Sequence, residues 1–259
     1  METTTPLLKV DQVGIQFGGL KAVSGVNAEL FQGELVGLIG PNGAGKTTFF
    51  NLLTGVYVPT EGQILLNGEK LNKLPPFKIT RKGISRTFQN IRLFSELSVI
   101  DNVKVAYHSL AKHTAISSIL RLPGHFSGEK EMDEKAIEFL KIFNLERFKD
   151  EKAKNLPYGQ QRRLEIARAL AANPRLLLLD EPAAGMNPQE TKELMKLIAF
   201  IRERFSLTVL LIEHDMPLVM GVCDRIYVLD HGQLIAQGTP EEIRNNPKVI
   251  EAYLGEEVS

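Results

Sequence analysis

Two short stretches near the start, Leu7 to Val10 and Val13 to Phe17, alternate apolar and polar positions, and Glu34 to Ile39 follows as a nearly unbroken apolar run. Period-two alternation marks a half-buried strand, and a short solid apolar run marks a strand covered on both faces, so these predict strands. Glycine-rich Gly40 to Gly45 comes next, then a helical run from Lys46 to Leu53 that Gly55 suits as a left-handed stop. Gln63 to Leu66, ending in Asn67-Gly68, predicts another strand with a turn, and Pro75-Pro76 predicts a break in the chain after it. From about Ser98 to Ala172 the period becomes helical, for example at Ile137, Leu140, Lys141 and Asn144 within Glu131 to Leu145. Tyr107 to Gly128 keeps no single period and predicts no element. Strands return at Leu176 to Leu179, Thr208 to Ile212 and Arg225 to Leu229. Between the first two, Asn187 can cap a helix that takes Pro188 in its first turn and carries Leu194, Leu197, Ile198, Ile201 and Phe205 along one face. Strands alternating with helices predict an α/β chain with a mostly parallel sheet covered on both faces.

Composition narrows the class. In 259 residues, 43% hydrophobic and 24% charged describe a folded globular chain rather than long disorder or a coiled-coil rod. No internal repeat suggests a solenoid. Thirty-one basic residues balance thirty-one acidic ones, which removes any global pull toward nucleic acid or an anionic bilayer. The single Cys223 excludes an intrachain disulfide, and the start METTTPLLKV lacks the basic and apolar stretches of a secretory signal, so a reducing cytosol is expected. The purest apolar runs, Leu176 to Leu179 and Val209 to Ile212, fall short of the roughly 20 residues that span a bilayer. Any membrane function would need another chain to do the spanning.

The chemistry begins at Gly40-Pro41-Asn42-Gly43-Ala44-Gly45-Lys46-Thr47, which fits the phosphate-binding loop pattern between an apolar strand and a helix. The glycines let successive backbone N–H groups turn around phosphate oxygens, and the helix N-terminus adds partial positive charge. Lys46 is placed to reach the β and γ phosphates, Thr47 to offer its hydroxyl to Mg²⁺, and Thr48 adjoins the same nucleotide-binding set. The bland alternative is a chance glycine turn, but the strand-to-helix context argues against it. The apolar Leu176 to Leu179 runs into Asp180 and Glu181, adjacent carboxylates at the end of a core strand. Because side chains alternate along a strand, Asp180 can face Mg²⁺ while Glu181 faces an attacking water as general base. A solvated acidic turn is the plain alternative. His214, in Glu213-His214-Asp215 after a second apolar strand, can reach the γ-phosphate, although a lone histidine is more often structural.

The order of these motifs, with Gln89 in Thr87-Phe-Gln-Asn90 and with Leu156-Pro157-Tyr158-Gly159-Gln160, resembles the ATP-binding subunits of ABC transporters over nearly the whole chain. The resemblance implies an α/β P-loop NTPase fold with an N-terminal antiparallel β subdomain. Residues 1–259 would form one ATPase domain, with a helical subdomain inserted at about residues 90–172 and a C-terminal tail at 238–259. It implies ATP and Mg²⁺ as cofactors, Phe17 stacked on adenine, and Thr47, Gln89 and Asp180 around the metal. Gln89 would link metal and water to the transmembrane subunit, His214 would be the switch histidine, and Ala184-Gly185-Met186-Asn187 would meet the partner. Taken singly, Phe17 reads as a core aromatic and Gln89 as a polar loop residue. The implied partners are a second ABC ATPase subunit and transmembrane permease subunits, at the cytoplasmic face of the cell (inner) membrane. No nucleic acid and no direct contact with the transported solute are implied.

The departure lies at the signature, where the family's usual Leu-Ser-Gly-Gly-Gln is replaced by Leu156-Pro157-Tyr158-Gly159-Gln160. Proline removes both the serine hydroxyl and a backbone N–H, while Gly159, Gln160 and the helix start after them keep donors for a phosphate. An unequal pair of ATP sites, with a partner bearing an ordinary signature, is therefore expected. This variant, with Gln161-Arg-Arg-Leu-Glu-Ile-Ala-Arg-Ala-Leu170 after it, resembles one of the two ATP-binding subunits of branched-chain amino acid importers. Gly238-Thr-Pro-Glu-Glu-Ile243 and Ala252-Tyr-Leu-Gly255 agree. Rival classes fare less well. A small GTPase needs an Asn-Lys-x-Asp reader, and Asn72-Lys73-Leu74-Pro75 has no aspartate. Soluble non-transport relatives carry tandem cassettes or long coiled coils. An exporter ATPase for lipid or lipopolysaccharide would share every catalytic motif and is the serious alternative.

Overall fold

The computed structural model describes residues 5–110 and 124–254, with side chains described for 5–107 and 132–254. The two stretches read as separate strands at the start form one, β1 (Leu8–Phe17). Its register against β2 (Leu20–Leu30) jumps between Val10 and Val13, where Gln12 has a φ of +49°. This is a β-bulge, and the residue it displaces broke the alternation that marks a strand in sequence. β2 went unrecognised because Gly25, at φ +59°, interrupts its apolar positions, yet Val23, Val26, Ala28 and Leu30 are all buried. β4 (Glu61–Leu66) and β5 (Glu69–Lys70) complete an antiparallel sheet in the order β2-β1-β4-β5. Asn67 and Gly68 between β4 and β5 both take left-handed backbone, as a tight hairpin requires.

The second sheet runs β10-β9-β3-β8-β7-β6. β3 (Leu35–Ile39), β6 (Ile84–Arg86), β7 (Leu176–Asp180), β8 (Thr208–Ile212) and β9 (Arg225–Asp230) are parallel, and β10 (Gln233–Gly238) returns antiparallel to β9. β3, β7 and β8 are buried at every residue. Alternation sends Val36, Leu38, Leu178 and Leu210 into a core shared with the antiparallel sheet and α1 (Lys46–Leu53). Leu35, Ile39, Leu177, Leu179, Val209 and Leu211 enter a second core on the opposite face. Solid apolar strands are what a sheet covered on both faces demands.

Between β6 and β7 the named elements are helical: α3 (Val99–Leu110), α4 (Gly124–Ile142), two short 3₁₀ turns and α5 (Tyr158–Ala171). The stretch without predicted elements is thus helical at both ends, and 111–123 lies outside the described residues. On α4 and the turn after it, Ala136, Leu140, Phe143 and Leu145 are fully buried, whereas Lys141 and Asn144 of the predicted stripe are exposed. α2 (Pro76–Lys82) corrects the reading of Pro75-Pro76 as a break, since Pro76 occupies the first helical turn, where its missing N–H has no partner to lose. α6 (Pro188–Arg204) carries the expected cap. Asn187 Oδ1 accepts from Glu190 N at 3.0 Å, and Glu190 Oε2 accepts from Asn187 N at 3.1 Å. Leu194, Ile198 and Ile201 are buried along its inner face. α7 (Met216–Val222), α8 (Pro240–Arg244) and α9 (Pro247–Leu254) finish the chain. Among the described residues no helix is long and apolar enough to cross a membrane.

Candidate functional site

In a parallel sheet the strand carboxyl ends share one edge, and ligands gather there. Here that edge receives the phosphate loop from β3, Thr87 to Gln89 from β6, Asp180 and Glu181 from β7, and Glu213 and His214 from β8. Most of the predicted site therefore converges through strand order alone.

The loop holds its shape largely by backbone. Gly40, at φ +150°, lies so close to β9 that a Cβ would stand 1.9 Å from Leu229 O, and a Cβ on Gly45 would stand 2.7 Å from Ala22 O. Both glycines are needed for close packing against backbone elsewhere in the chain. Gly43, at φ +75°, faces open space. Lys46 is buried and its Nζ donates to Gly40 O at 2.7 Å and Pro41 O at 2.8 Å, which fixes the ammonium at the mouth of the loop. Thr47 is exposed at the start of α1, and Thr48 is half-buried. A cleft of about 830 Å³ runs from Pro41, Asn42, Gly43 and Ala44 to Lys248 and Glu251 on α9, and it includes none of Lys46, Asp180, Glu181 or His214.

Glu181 is the hub of a second group. Its Oε1 lies 2.6 Å from His214 Nε2, and its Oε2 accepts from Gln89 Nε2 at 2.7 Å. Asp180 and Glu181 do diverge, but not by strand alternation: β7 ends at Asp180, and Glu181 turns into left-handed backbone at φ +47°. A non-glycine residue held there stores strain, a frequent feature of reactive sites. Asp180 is buried, and its Oδ2 pairs with Arg86 NH2 at 2.6 Å. Together, the Thr47 hydroxyl, the Gln89 amide and the Asp180 carboxylate are hard oxygen donors of the kind Mg²⁺ takes. Among the described residues no cluster of three or more His, Cys, Asp and Glu could hold a metal unaided. Such a sparse set suits Mg²⁺ bound jointly with nucleotide phosphates.

Phe17 is 44% exposed at the end of β1, its ring edge-on to Tyr57 at 5.1 Å, so the reading of it as a core aromatic falls. At the signature, Pro157 is the N-cap of α5 and provides no side-chain cap. Tyr158 packs its ring under Gly185 and accepts from Arg162 NH2 at 3.2 Å, while Gly159 lies against Glu190 of α6. The signature and the 184–187 loop of one chain thus touch each other.

The sequence pattern of the family described as "ABC transporter" matches residues 23–184, and that described as "Branched-chain amino acid ATP-binding cassette transporter" matches residues 233–259. The chain is 54% identical to the high-affinity branched-chain amino acid transport ATP-binding protein LivG of Escherichia coli (strain K12), covering 97% of this chain and 98% of that one. It is 51% identical, with the same coverage, to the corresponding protein BraF of Pseudomonas aeruginosa. The chain belongs to the ABC transporter ATP-binding family. A lipopolysaccharide export ATP-binding protein, LptB of Haemophilus influenzae, stands further off at 35% identity over 97% of this chain and 98% of that one. Among solved structures, an ABC transporter ATP-binding cassette in its ADP conformation superposes with a TM-score of 0.84 at 31% identity, covering 97% of this chain and 100% of that chain. A dimeric post-hydrolysis cassette bound to ADP and Pi superposes with a TM-score of 0.76 at 29% identity, covering 90% of this chain and 98% of that chain. Like its family, this chain is an ATP-hydrolysing cassette with the P-loop NTPase fold.

Three polar residues of this cassette have no role assigned from the sequence. Arg86 joins Asp180 to Asn51, donating to Asn51 Oδ1 at 2.6 Å. Arg162 is fully buried on α5 and bonds the loop that carries Gln89. Glu213 is 5% exposed; its Oε1 accepts from Ala183 N at 2.8 Å, and burial raises its carboxyl above the usual range. The partners named here lie 30 or more residues away, so only a charge placed inside an otherwise apolar segment signals them in the sequence.

Proposed function

We propose that this chain is the ATP-hydrolysing subunit of an importer for branched-chain amino acids, paired with a second cassette beneath transmembrane permease subunits at the cytoplasmic face of the cell membrane. The carrying observation is the bonded group Gln89–Glu181–His214 at the sheet edge that also holds the phosphate loop. In this reading Lys46 and the N–H groups from Gly40 to Thr48 bind the ATP phosphates, and Phe17 stacks on adenine. Glu181 is the base that takes the proton of the attacking water, with Gln89 and His214 holding its two oxygens in place. Bound Mg²⁺, held by Thr47, Asp180 and Gln89, would supply neutralisation of phosphate charge. Gly159 and Gln160 donate to the nucleotide of the partner cassette. All of residues 1–259 count as one domain, with the helices between β6 and β7 as the subdomain near residues 90–172 and the tail from 238. The 54% identity to LivG supports the solute class.

The test is uptake of labelled leucine, isoleucine and valine by cells lacking this chain. Loss of uptake is expected, with rescue by the wild type and none by Lys46→Ala. Unchanged uptake would overturn the import reading.

A further inference from the structure

Gln89 is exposed, but the backbone on either side of it is not left to itself. Arg162, fully buried on α5, donates through NH1 to Phe88 O at 2.6 Å and through NH2 to Gln89 O at 2.8 Å. Those two carbonyls flank the Cα of Gln89, so a rigid planar fork bridges the residue's own φ and ψ. The fork is itself braced. Glu165, also fully buried, pairs through Oε2 with Arg162 NH1 at 2.9 Å and accepts through Oε1 from Arg92 N at 3.0 Å. An ion pair buried this completely stabilises little, because taking both charges out of water offsets their attraction. If α5 needed only to pack, apolar residues of similar volume would serve as well. What the pair adds is direction: every carbonyl bond of Arg162 goes to the turn that presents Gln89, and the bond of Glu165 goes to the residue three further on.

We propose that Arg162 is a positioning residue for Gln89: its guanidinium, braced by Glu165, clamps the peptides around Gln89 and thereby sets where the Gln89 amide meets Glu181. This rests on the catalytic reading of Glu181 and Gln89 given above. Because Arg162 stands four residues after Tyr158 on the signature helix and bonds its hydroxyl, the clamp also ties Gln89 to the variant signature. Tyr158 in turn lies against Gly185 of the loop before α6. A displacement at either place reaches the hydrolytic group through one side chain.

The test uses the full chain with Arg162→Lys, which keeps a cation beside Glu165 but loses the planar fork whose two nitrogens separately hold Phe88 O with Glu165 and Gln89 O with Tyr158, with Gln89→Ala, and with both. Arg162→Lys should lower kcat about tenfold with KM for ATP changed less than about twofold, the size expected for a lost bond to a charged group. Adding Arg162→Lys to Gln89→Ala should lower kcat no further than Gln89→Ala does alone. In the nucleotide-free chain, amide hydrogen exchange should quicken in the peptide 86–94 and stay unchanged in α1. If Arg162→Lys does not fold, the paired Arg162→Met, Glu165→Leu variant, which leaves no charge unpaired, replaces it. Unchanged exchange at 86–94, or losses from Arg162→Lys and Gln89→Ala that multiply, would overturn the clamp and leave the role of Gln89 standing. An unimpaired Gln89→Ala would overturn that role and the clamp with it.

Discussion

The phosphate loop and the Glu181 group occupy the same edge of one sheet, but they are held in different ways. The loop joins a strand to the helix after it, and its contacts are backbone contacts: Lys46 Nζ bonds carbonyls five and six residues earlier, and Gly40 and Gly45 fit against Leu229 and Ala22. The Glu181 group is made by side chains 92 and 33 residues away, Gln89 and His214. Its support is equally remote, with Arg162 reaching Phe88 across 74 residues. The loop's own bonds lie within its segment, and from outside it asks only for close fit of Gly40 and Gly45 against backbone at Leu229 and Ala22. A group built from distant side chains exists only when several elements are seated together, so it is the natural place for control by partners.

The largest effect should come from breaking the remote group at its hub. Glu181→Gln keeps the shape and an oxygen that accepts from Gln89 but removes the base proposed above, so hydrolysis should fall about 10²- to 10⁴-fold while ATP stays bound. Single-turnover assays with labelled ATP check it, and hydrolysis at the wild-type rate would show that Glu181 is not the base. Breaking the local element is a matter of stability. Gly40→Ala forces a Cβ into Leu229 O and should destabilise the chain by about 3 kcal/mol or more, read from urea unfolding. A change under about 1 kcal/mol would mean the loop yields far more readily than a backbone-built element should.

A smaller effect is expected at the signature. Pro157→Ser restores a hydroxyl and an N–H while leaving Tyr158 on Arg162 and Gly185. Hydrolysis by this chain alone should rise about tenfold, the worth of one bond to a charged phosphate, and much less when it is paired with a cassette of ordinary signature. A loss in both settings would mean that proline is adapted to its site.

The smallest effect sharpens the comparison through pH. Burial raises the Glu213 carboxyl, with the neighbouring Glu181 adding to the rise and the Ala183 and His214 N–H groups and the His214 charge opposing it. A raised carboxyl favours the protonated folded form, so its share of stability is whole below the unfolded value of 4.5 and is lost as pH climbs through the folded one. Glu213→Gln removes that dependence. It should gain stability over the wild type at pH 8 and none at pH 4 in urea unfolding. An equal gain at both pH values would exclude this titration as the cause.

Much of the protein is legible without coordinates. The phosphate loop, α1 with its Gly55 stop, the Asn187 cap and the solid strands β3, β7 and β8 are determined by residues a few positions apart, which is the range over which periodicity and capping act. β2 and β10 escaped because glycines and half-buried positions blur their alternation, and β6 because three residues carry no period. Only the tertiary structure decided the rest. Strand order β10-β9-β3-β8-β7-β6 brings the four chain segments to one edge. The left-handed turn at Glu181 parts the two carboxylates, and buried arginines join Asp180 to Asn51 and Gln89 to the signature helix. The reason is distance along the chain: Arg162 meets Glu165 and Tyr158 within its own helix, but the Phe88 and Gln89 carbonyls it holds lie 74 and 73 residues away and reach it only after two cores have closed around the sheet.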